Sequence, residues 1–480
     1  MKKLSKNYLY TSLYQLLLII IPLITTPFLT RTLGRTSLGI DGFVLSVVTL
    51  CEVIGSLGTT IYANREIAYV RNDQKKLSRT FWEIFFLRLT LCIIVTCVFL
   101  FVAFHSAYRT AFLIQTITVA AYFFDISWLF VGTEDVRPIT ICNGIVKTCT
   151  TACIFIFIRK PEDLYLYICI TAIGQALVVI ILFIGGRRKI SWCSWRKLRI
   201  MRHLMPVIAL FLPQAASSLY VMFDKTMLGL LASDISRISL YDKAEVIVKA
   251  PTVFAAALTT VLMPRMANEF KNDRMGSVKE IVRHAIELML LFSVPIAVGL
   301  AIIAPIFVPR YLGNDFIDSV RVVWILAPII VAIALSNVSG AQFLIACNET
   351  KALGISYASS AAFNIIGNYL LIPKLNEIGA SLTTLIAEII VVVIQFSVMY
   401  KRLGSLKITN AVIKKLIAVI CMTIPLLLIG MLGNHIWVGL LQIAAGALIY
   451  FSVLWILHDS TFMECLQAVI QFIRQKVKHG

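Results

Sequence analysis

Apolar residues run along this chain in blocks too long for the core of a water-soluble domain, and the polar residues between them fall into short clusters. A window of about 20 residues, the length of helix that crosses a ~30 Å hydrocarbon layer, finds about fourteen such blocks. The first runs from about 8 to 30, followed by 38–61, 80–103, 110–131, a fifth after Pro138 and a sixth ending at Gly185 and Gly186. The second series is 204–231, one starting near Leu240, 284–308, 319–346, 352–372, 379–400, 411–432 and 436–457. Continuous runs of helix length exclude a transmembrane barrel, whose strands alternate. The pattern therefore predicts an all-α polytopic membrane protein. From 463 to 477 apolar residues recur at 463, 466, 469, 470, 473 and 477, with Arg474, Lys476 and Lys478 close behind, which predicts an amphipathic helix on the inner leaflet.

Lys2, Lys3 and Lys6 before the first block imitate a signal peptide, but the block is long, carries no A-x-A cleavage pattern and is followed by many others. It reads as a retained first helix. Composition agrees: 59% of the 480 residues are hydrophobic and 14% charged, with a mean hydropathy of +0.87. Eleven cysteines lie mostly inside the apolar blocks, with no C-x2-C pair, so neither a metal site nor a disulfide framework is indicated.

The net charge of +19 would suit nucleic acid, and its distribution decides against that. With a cytoplasmic N-terminus and fourteen spans, 30 of the 44 Lys and Arg fall in inside segments, 8 in outside loops and 6 within spans. This asymmetry is the positive-inside rule, so basicity orients the chain, with both termini cytoplasmic, and attracts anionic lipids. The longest polar interruption of the first half, 187–203, holds seven basic residues and two tryptophans. It divides the chain into 1–186 (helices one to six), the linker 187–203, 204–400 (helices seven to twelve), 401–457 (two further helices) and the tail 458–480.

Candidate chemistry lies in the ionisable residues at membrane depth, each of which costs several kcal/mol unless paired or hydrated. The stretch from 223 to 251 concentrates them: Asp224 and Lys225 near the end of helix seven, then Asp242, Glu245 and Lys249 at spacings of three and four on one face of helix eight. Elsewhere stand Arg31 at the outer end of helix one, Arg88 roughly 10 Å into helix three, Asp125 in helix four and Lys147 in helix five. Glu52 and Glu388 also lie within blocks. Arg31 and Arg88 fit either a cavity or a snorkelling anchor, and buried pairs can serve packing alone.

Two stretches recur. FLTRTLGRTSLGIDGF (28–43) is echoed by FDKTMLGLLASDISRISLYDKA (223–244), and EDVRPITICNGIVKTCTTACIFIFIRK (134–160) by ETKALGISYASSAAFNIIGNYLLIPK (349–374). They relate helices one to six to helices seven to twelve in the same membrane orientation, and parallel repeats are a transporter signature. At PLITTPFLTRTLG, YANREIAYVR, DISWLFVGTEDVR, FDKTMLG and NIIGNYLLIPKLNEIGASLTTLIAE the chain resembles Wzx-type polysaccharide flippases of the multidrug/oligosaccharidyl-lipid/polysaccharide exporter superfamily.

That resemblance implies two pseudo-symmetric six-helix lobes around a central cavity plus two C-terminal helices. It also implies transfer of an undecaprenyl-diphosphate-linked repeat unit from the inner to the outer leaflet for surface polysaccharide synthesis. The family's basic cavity residues carry over by position to Arg31 and Lys225. With them, Arg88, Lys147 and Lys249 are candidates for holding the diphosphate, and Asp125, Asp224, Asp242 and Glu245 for balancing charge or coupling to an ion. No Walker motif occurs, so an ion gradient or membrane potential is the expected energy source, without a cofactor or catalysis by the chain itself. Expected partners are the lipid-linked glycan, anionic lipids, and a polymerase and glycosyltransferases. The rivals are a cation-coupled exporter of small drugs, disfavoured by the basic residues at depth, and a membrane polymerase or acyltransferase, disfavoured by short outside loops and six histidines at segment ends or in the tail.

Overall fold

The computed structural model describes residues 17–18, 20–194, 198–406, 408–433 and 435–479. The described residues are helical throughout, without strand, and ten of their helical runs are long and apolar enough to cross a membrane. The chain is an all-α polytopic membrane protein. It divides into two compact units, Met1–Ser239 and Leu240–Gly480.

In the first unit α1 (20–32) is followed by α2 (Gly34–Ser56), α3 (Thr59–Val70), α4 (Gln74–His105), α5 (Arg109–Ala121), α6 (Ser127–Gly132), α7 (Arg137–Phe157), α8 (Leu164–Arg187) and α9 (Leu204–Leu231). Each break has a local cause. Gly34, at φ +73°, turns the chain between α1 and α2, and Leu57 and Gly58, at φ +44° and +76°, do so between α2 and α3. Asp73 caps α4 by accepting from the Lys75 and Lys76 amides at 3.0 and 3.1 Å. Asp125, in an extended conformation after the 3-10 turn Tyr122–Phe124, interrupts the span that α5 opens and α6 closes. The core of this unit gathers Ile67, Phe81, Phe85 and Phe130 around the fully buried Trp128. Gly132 belongs to it by necessity, since a Cβ there would stand 2.7 Å from Ile67.

The second unit takes in most of α10 (Ser236–Lys249), then α11 (Val253–Lys271), α12 (Met275–Leu312), α13 (Ser319–Leu326), α14 (Ile329–Ser336), a π-helical stretch (Asn337–Leu344), α15 (Thr350–Leu375), α16 (Glu377–Leu403), α17 (Thr409–Gly430), α18 (Ile436–Ile456) and α19 (Ser460–His479). Apolar residues of α17 and α18 pack on α12, where the Tyr450 hydroxyl donates to the Leu291 carbonyl at 3.0 Å. Buried polar contacts then hold the start of α19: Thr461 donates to Glu287 of α12 at 2.8 Å, and Asp459, just before α19, meets Lys415 of α17 at 3.0 Å.

Two of the left-handed helix endings among the described residues fall at the second pair of similar stretches in the sequence. After α6 the amide of Asp135 bonds the Phe130 carbonyl at 2.8 Å, around Glu134 at φ +56°. After the π-helical stretch the amide of Glu349 bonds the Leu344 carbonyl at 2.7 Å, around Asn348 at φ +60°. These are left-handed helix endings of one type. In both cases the acidic residue so presented pairs with a base at the end of a later helix, Asp135 with Lys189 at 2.5 Å and Glu349 with Arg402. The equivalence is Asp135 to Glu349, one residue out of register with the sequence match.

Candidate functional site: charges within the spans

Arg88 is fully buried on α4. α4 begins at Gln74, six residues before the apolar block, which puts Arg88 about 20 Å along the helix. Its side chain is wholly enclosed, donating to Asp125 at 3.0 Å while the guanidinium lies 4.5 Å from the centre of the Tyr122 ring. Nε and Nη1 find no partner among the described residues. Fold and chemistry are linked here: only because the span breaks at Asp125 does a carboxylate reach the arginine. Enclosure makes Arg88 part of an internal ion pair.

On α10, Glu245 and Lys249 sit one turn apart and pair at 2.6 Å, while Asp242 pairs with its neighbour Lys243 at 2.7 Å. Glu245 is buried and the other three are half-buried. Within the three-and-four spacing of Asp242, Glu245 and Lys249, the spacing of four makes an ion pair, and Asp242 meets Lys243. Asp224 is buried near the end of α9 and Lys225 is half-buried beside it. The next residue, Thr226, shares a 2.8 Å hydrogen bond with Ser46 of α2, and the Phe43 ring lies on Gly229, which has no Cβ to obstruct it.

Arg31 is exposed at the end of α1. Lys147 is also exposed, and it occupies the midpoint of α7, ten residues or about 15 Å from either end. Its ammonium makes no hydrogen bond or ion pair among the described residues.

Two features escaped the reading of the sequence. One is a polar seam in the second unit. There Asn368 donates to Asn364 at 3.1 Å and accepts from Thr383, Tyr241 meets Thr384 at 3.0 Å, and Gln395 accepts from Ser339 at 2.8 Å and donates to Ser356 at 3.1 Å. Its signal was the four-residue spacing of Asn364 and Asn368, and of Ser356 and Ser360, on an otherwise apolar helix. The other is the docking of the basic linker on the start of α4. Gln74 and Trp82 donate to the carbonyls of Lys189 and Ser191 at 2.8 and 3.1 Å. Glu83, wholly buried, accepts from Arg79 at 3.0 Å, the Arg199 amide at 2.7 Å, Arg202 at 2.5 Å and His203 at 2.9 Å.

A many-span helical chain with a repeated helix plan and ionisable groups at depth has the build of a membrane transporter. Residues 4–270 match the model of a family described as polysaccharide biosynthesis protein, and the chain belongs to that family. It is 24% identical over 395 residues to an Escherichia coli (strain K12) protein described as "Putative O-antigen transporter", covering 81% of this chain and 94% of that one. A Shigella dysenteriae protein of the same description is 22% identical, over 81% of this chain and 98% of its own. Among solved structures, the lipid II flippase MurJ in an inward closed conformation superposes with a TM-score of 0.70 at 17% identity, over 94% of this chain and 99% of MurJ. An inward-facing multidrug resistance MATE family transporter of the MOP superfamily gives 0.58 at 14% identity, over 81% and 99%. The fold is that of MurJ and the MATE transporters.

Proposed function

We propose that the protein moves polyprenyl-diphosphate-linked oligosaccharide repeat units from the inner to the outer leaflet of a bacterial cytoplasmic membrane, for assembly of a surface polysaccharide. The observation that carries this reading is Lys147. An ammonium at the midpoint of a span is costly against hydrocarbon, which favours a polar path along this face of α7. A lipid diphosphate headgroup brings about two negative charges and many sugar hydroxyls, and a hydrated path with accessible cations is what such a group needs at depth. Lys147, Arg31 and Lys225 are the cations proposed to meet the diphosphate. Arg88, wholly enclosed with Asp125, and Lys249, one turn from Glu245, are assigned to fixing the walls. The prenyl chain stays in lipid, energy comes from an ion gradient or the membrane potential, and both termini are cytoplasmic. Glycosyltransferases on the inner face would supply the substrate and a polymerase on the outer face would consume it.

The family membership and the description of the two bacterial relatives support a glycan cargo. A cation-coupled drug exporter shares the fold, but an accessible lysine at midspan opposes cationic cargo. The test is deletion and complementation in the native host, measuring surface polysaccharide and inner-leaflet lipid-linked repeat units. Deletion should abolish the first and accumulate the second, and Lys147→Glu should fail to complement while Lys147→Arg succeeds. Normal polysaccharide in the deletion strain, or full complementation by Lys147→Glu, would sink the proposal.

A further inference from the structure

The second unit carries an apolar groove that the flippase reading does not use. It lies where α12, the α13–α14 span and α17 meet, with a volume of about 540 Å³, inside the range of ~300–1,000 Å³ typical of ligand sites. Ala297 of α12 and Ala327, between α13 and α14, form its buried floor, while Pro305, Trp324, Pro328 and Leu427 stand exposed along its rim. A helix break builds one wall. Pro305 has no amide to give the Ala301 carbonyl one turn back, and the Trp324 indole donates to that carbonyl instead, at 2.9 Å. The bond crosses from α13 to α12 and fixes the ring in place.

The lining has nothing to offer a polar ligand. Its one hydroxyl, on Thr423 of α17, donates to the Val419 carbonyl of its own helix at 2.8 Å, and no ionisable side chain lines the groove. Hydrocarbon is what such a surface accepts. A charge nevertheless stands at one end. Arg321, Trp324, Pro328 and Val331 follow at spacings of three, four and three, so they share one face of the span. The last three line the groove, and exposed Arg321 continues their face toward Ser319. Its guanidinium makes no hydrogen bond or ion pair among the described residues. Val331 lies ten residues, about 15 Å, from Arg321 along the span, and that is half of a ~30 Å hydrocarbon core. The groove is therefore as long as one leaflet is deep, with a cation where headgroup phosphates lie.

We propose that the second unit holds one glycerophospholipid of the surrounding bilayer, with an acyl chain in the groove between α12, the α13–α14 span and α17 and its phosphate on Arg321. Guanidinium and phosphate make charge-assisted hydrogen bonds, which favour this end for the headgroup. The chain fills the space that side chains leave between α17 and the span it faces, so the lipid is a structural part of the unit. A polyprenyl chain is much longer than one leaflet is deep and would overrun the groove. The lipid site does not rest on the flippase reading, since it is built from residues that reading does not use.

The test is native mass spectrometry of the full chain, delipidated in detergent and titrated with phosphatidylglycerol. The wild type should take up one lipid that Leu427→Trp and Val298→Trp, which fill the groove, do not. Leu448→Trp, at an exposed position of α18 outside the groove, should keep it. Arg321→Ala should weaken this uptake at least about tenfold, and Arg321→Lys should recover most of it. Single-chain lysophosphatidylglycerol should compete, because only one acyl chain is held. Should Val298→Trp fail to fold, Leu427→Trp on the exposed rim carries the test alone. Wild-type uptake by a folded Leu427→Trp variant, or by Arg321→Ala, would overturn the proposal. So would displacement of phosphatidylglycerol by an equal concentration of undecaprenyl phosphate, since the groove would then belong to a polyprenyl chain.

Discussion

The Glu83 carboxylate and the His203 ring, 120 residues apart in sequence, meet at 2.9 Å, and the other ring nitrogen lies 2.7 Å from the Tyr62 hydroxyl. The last residue of the basic linker is thereby fastened to α3 and α4. A neutral ring with Nε2–H toward Glu83 accepts from the Tyr62 hydroxyl at Nδ1, and the Arg202 Nε lies 3.1 Å from the same Nε2. Burial is the main influence on His203 and lowers its pKa from the ordinary 6.5, outweighing the attraction of Glu83. The native ring is therefore neutral where an unfolded one would take a proton. The stability it contributes is fully present above pH ~6.5 and is lost as pH falls through the lower native value. Thermal unfolding in detergent should show Tm falling as pH drops below ~6.5, and His203→Gln should flatten that slope.

Glu83→Ala strands several donors at once, among them the Arg199 amide and two arginines. Removing one member of a buried network costs about 3 kcal/mol. The variant should unfold several degrees below wild type, and limited trypsin digestion should cut the linker at Arg199 and Arg202 more rapidly. Unchanged linker digestion would show that Glu83 does not hold this segment.

Lys415 and Asp459 are nearly free of solvent exposure, so their pair behaves differently from Asp135 with Lys189, where both side chains are a third exposed. Lys415→Ala leaves a buried carboxylate, which also holds the Phe462 amide, and should cost about 3–5 kcal/mol. Lys189→Ala should cost under about 1 kcal/mol. Chemical denaturation of both variants in the same detergent checks the ranking, and equal losses would refute it.

Two glycines should respond in opposite directions. A Cβ on Gly39 would stand 2.3 Å from the Ile235 carbonyl oxygen, against backbone that cannot turn aside, whereas one on Gly144 meets nothing within 4 Å. Gly39→Ala should destabilise by about 1–3 kcal/mol or more. Gly144→Ala, in the middle of α7, should stabilise by about 0.5–1 kcal/mol through helix propensity. Tm shifts of the purified variants provide the measurement.

Much of the plan was legible because it follows from local chemistry. Apolar blocks located the helices, Pro138 marked the start of α7, and the amphipathic spacing after 463 marked α19. The Glu245–Lys249 pair was legible as well, since a spacing of four fixes neighbours on a helix. Glu83 was not, because at the edge of the third apolar block, just after the charges that precede it, it reads as one more solvated residue. Its burial depends on the linker folding back more than a hundred residues later. The polar seam around Asn364, Asn368 and Gln395 was obscure for the same reason, since its partners come from different helices.

The sequence by itself determined the helical class and the order of the apolar blocks, because hydrophobic length and periodicity act over tens of residues; it predicted about fourteen spans, and ten helical runs among the described residues are long and apolar enough to cross a membrane. Only the tertiary structure decided how the charges at depth are used. Arg88 and Asp125 stand 37 residues apart and become partners through a break in one span and the packing of another, while Lys147 remains exposed at the centre of its helix. Electrostatic pairing acts over a few ångströms of space, and no spacing along the chain encodes that distance.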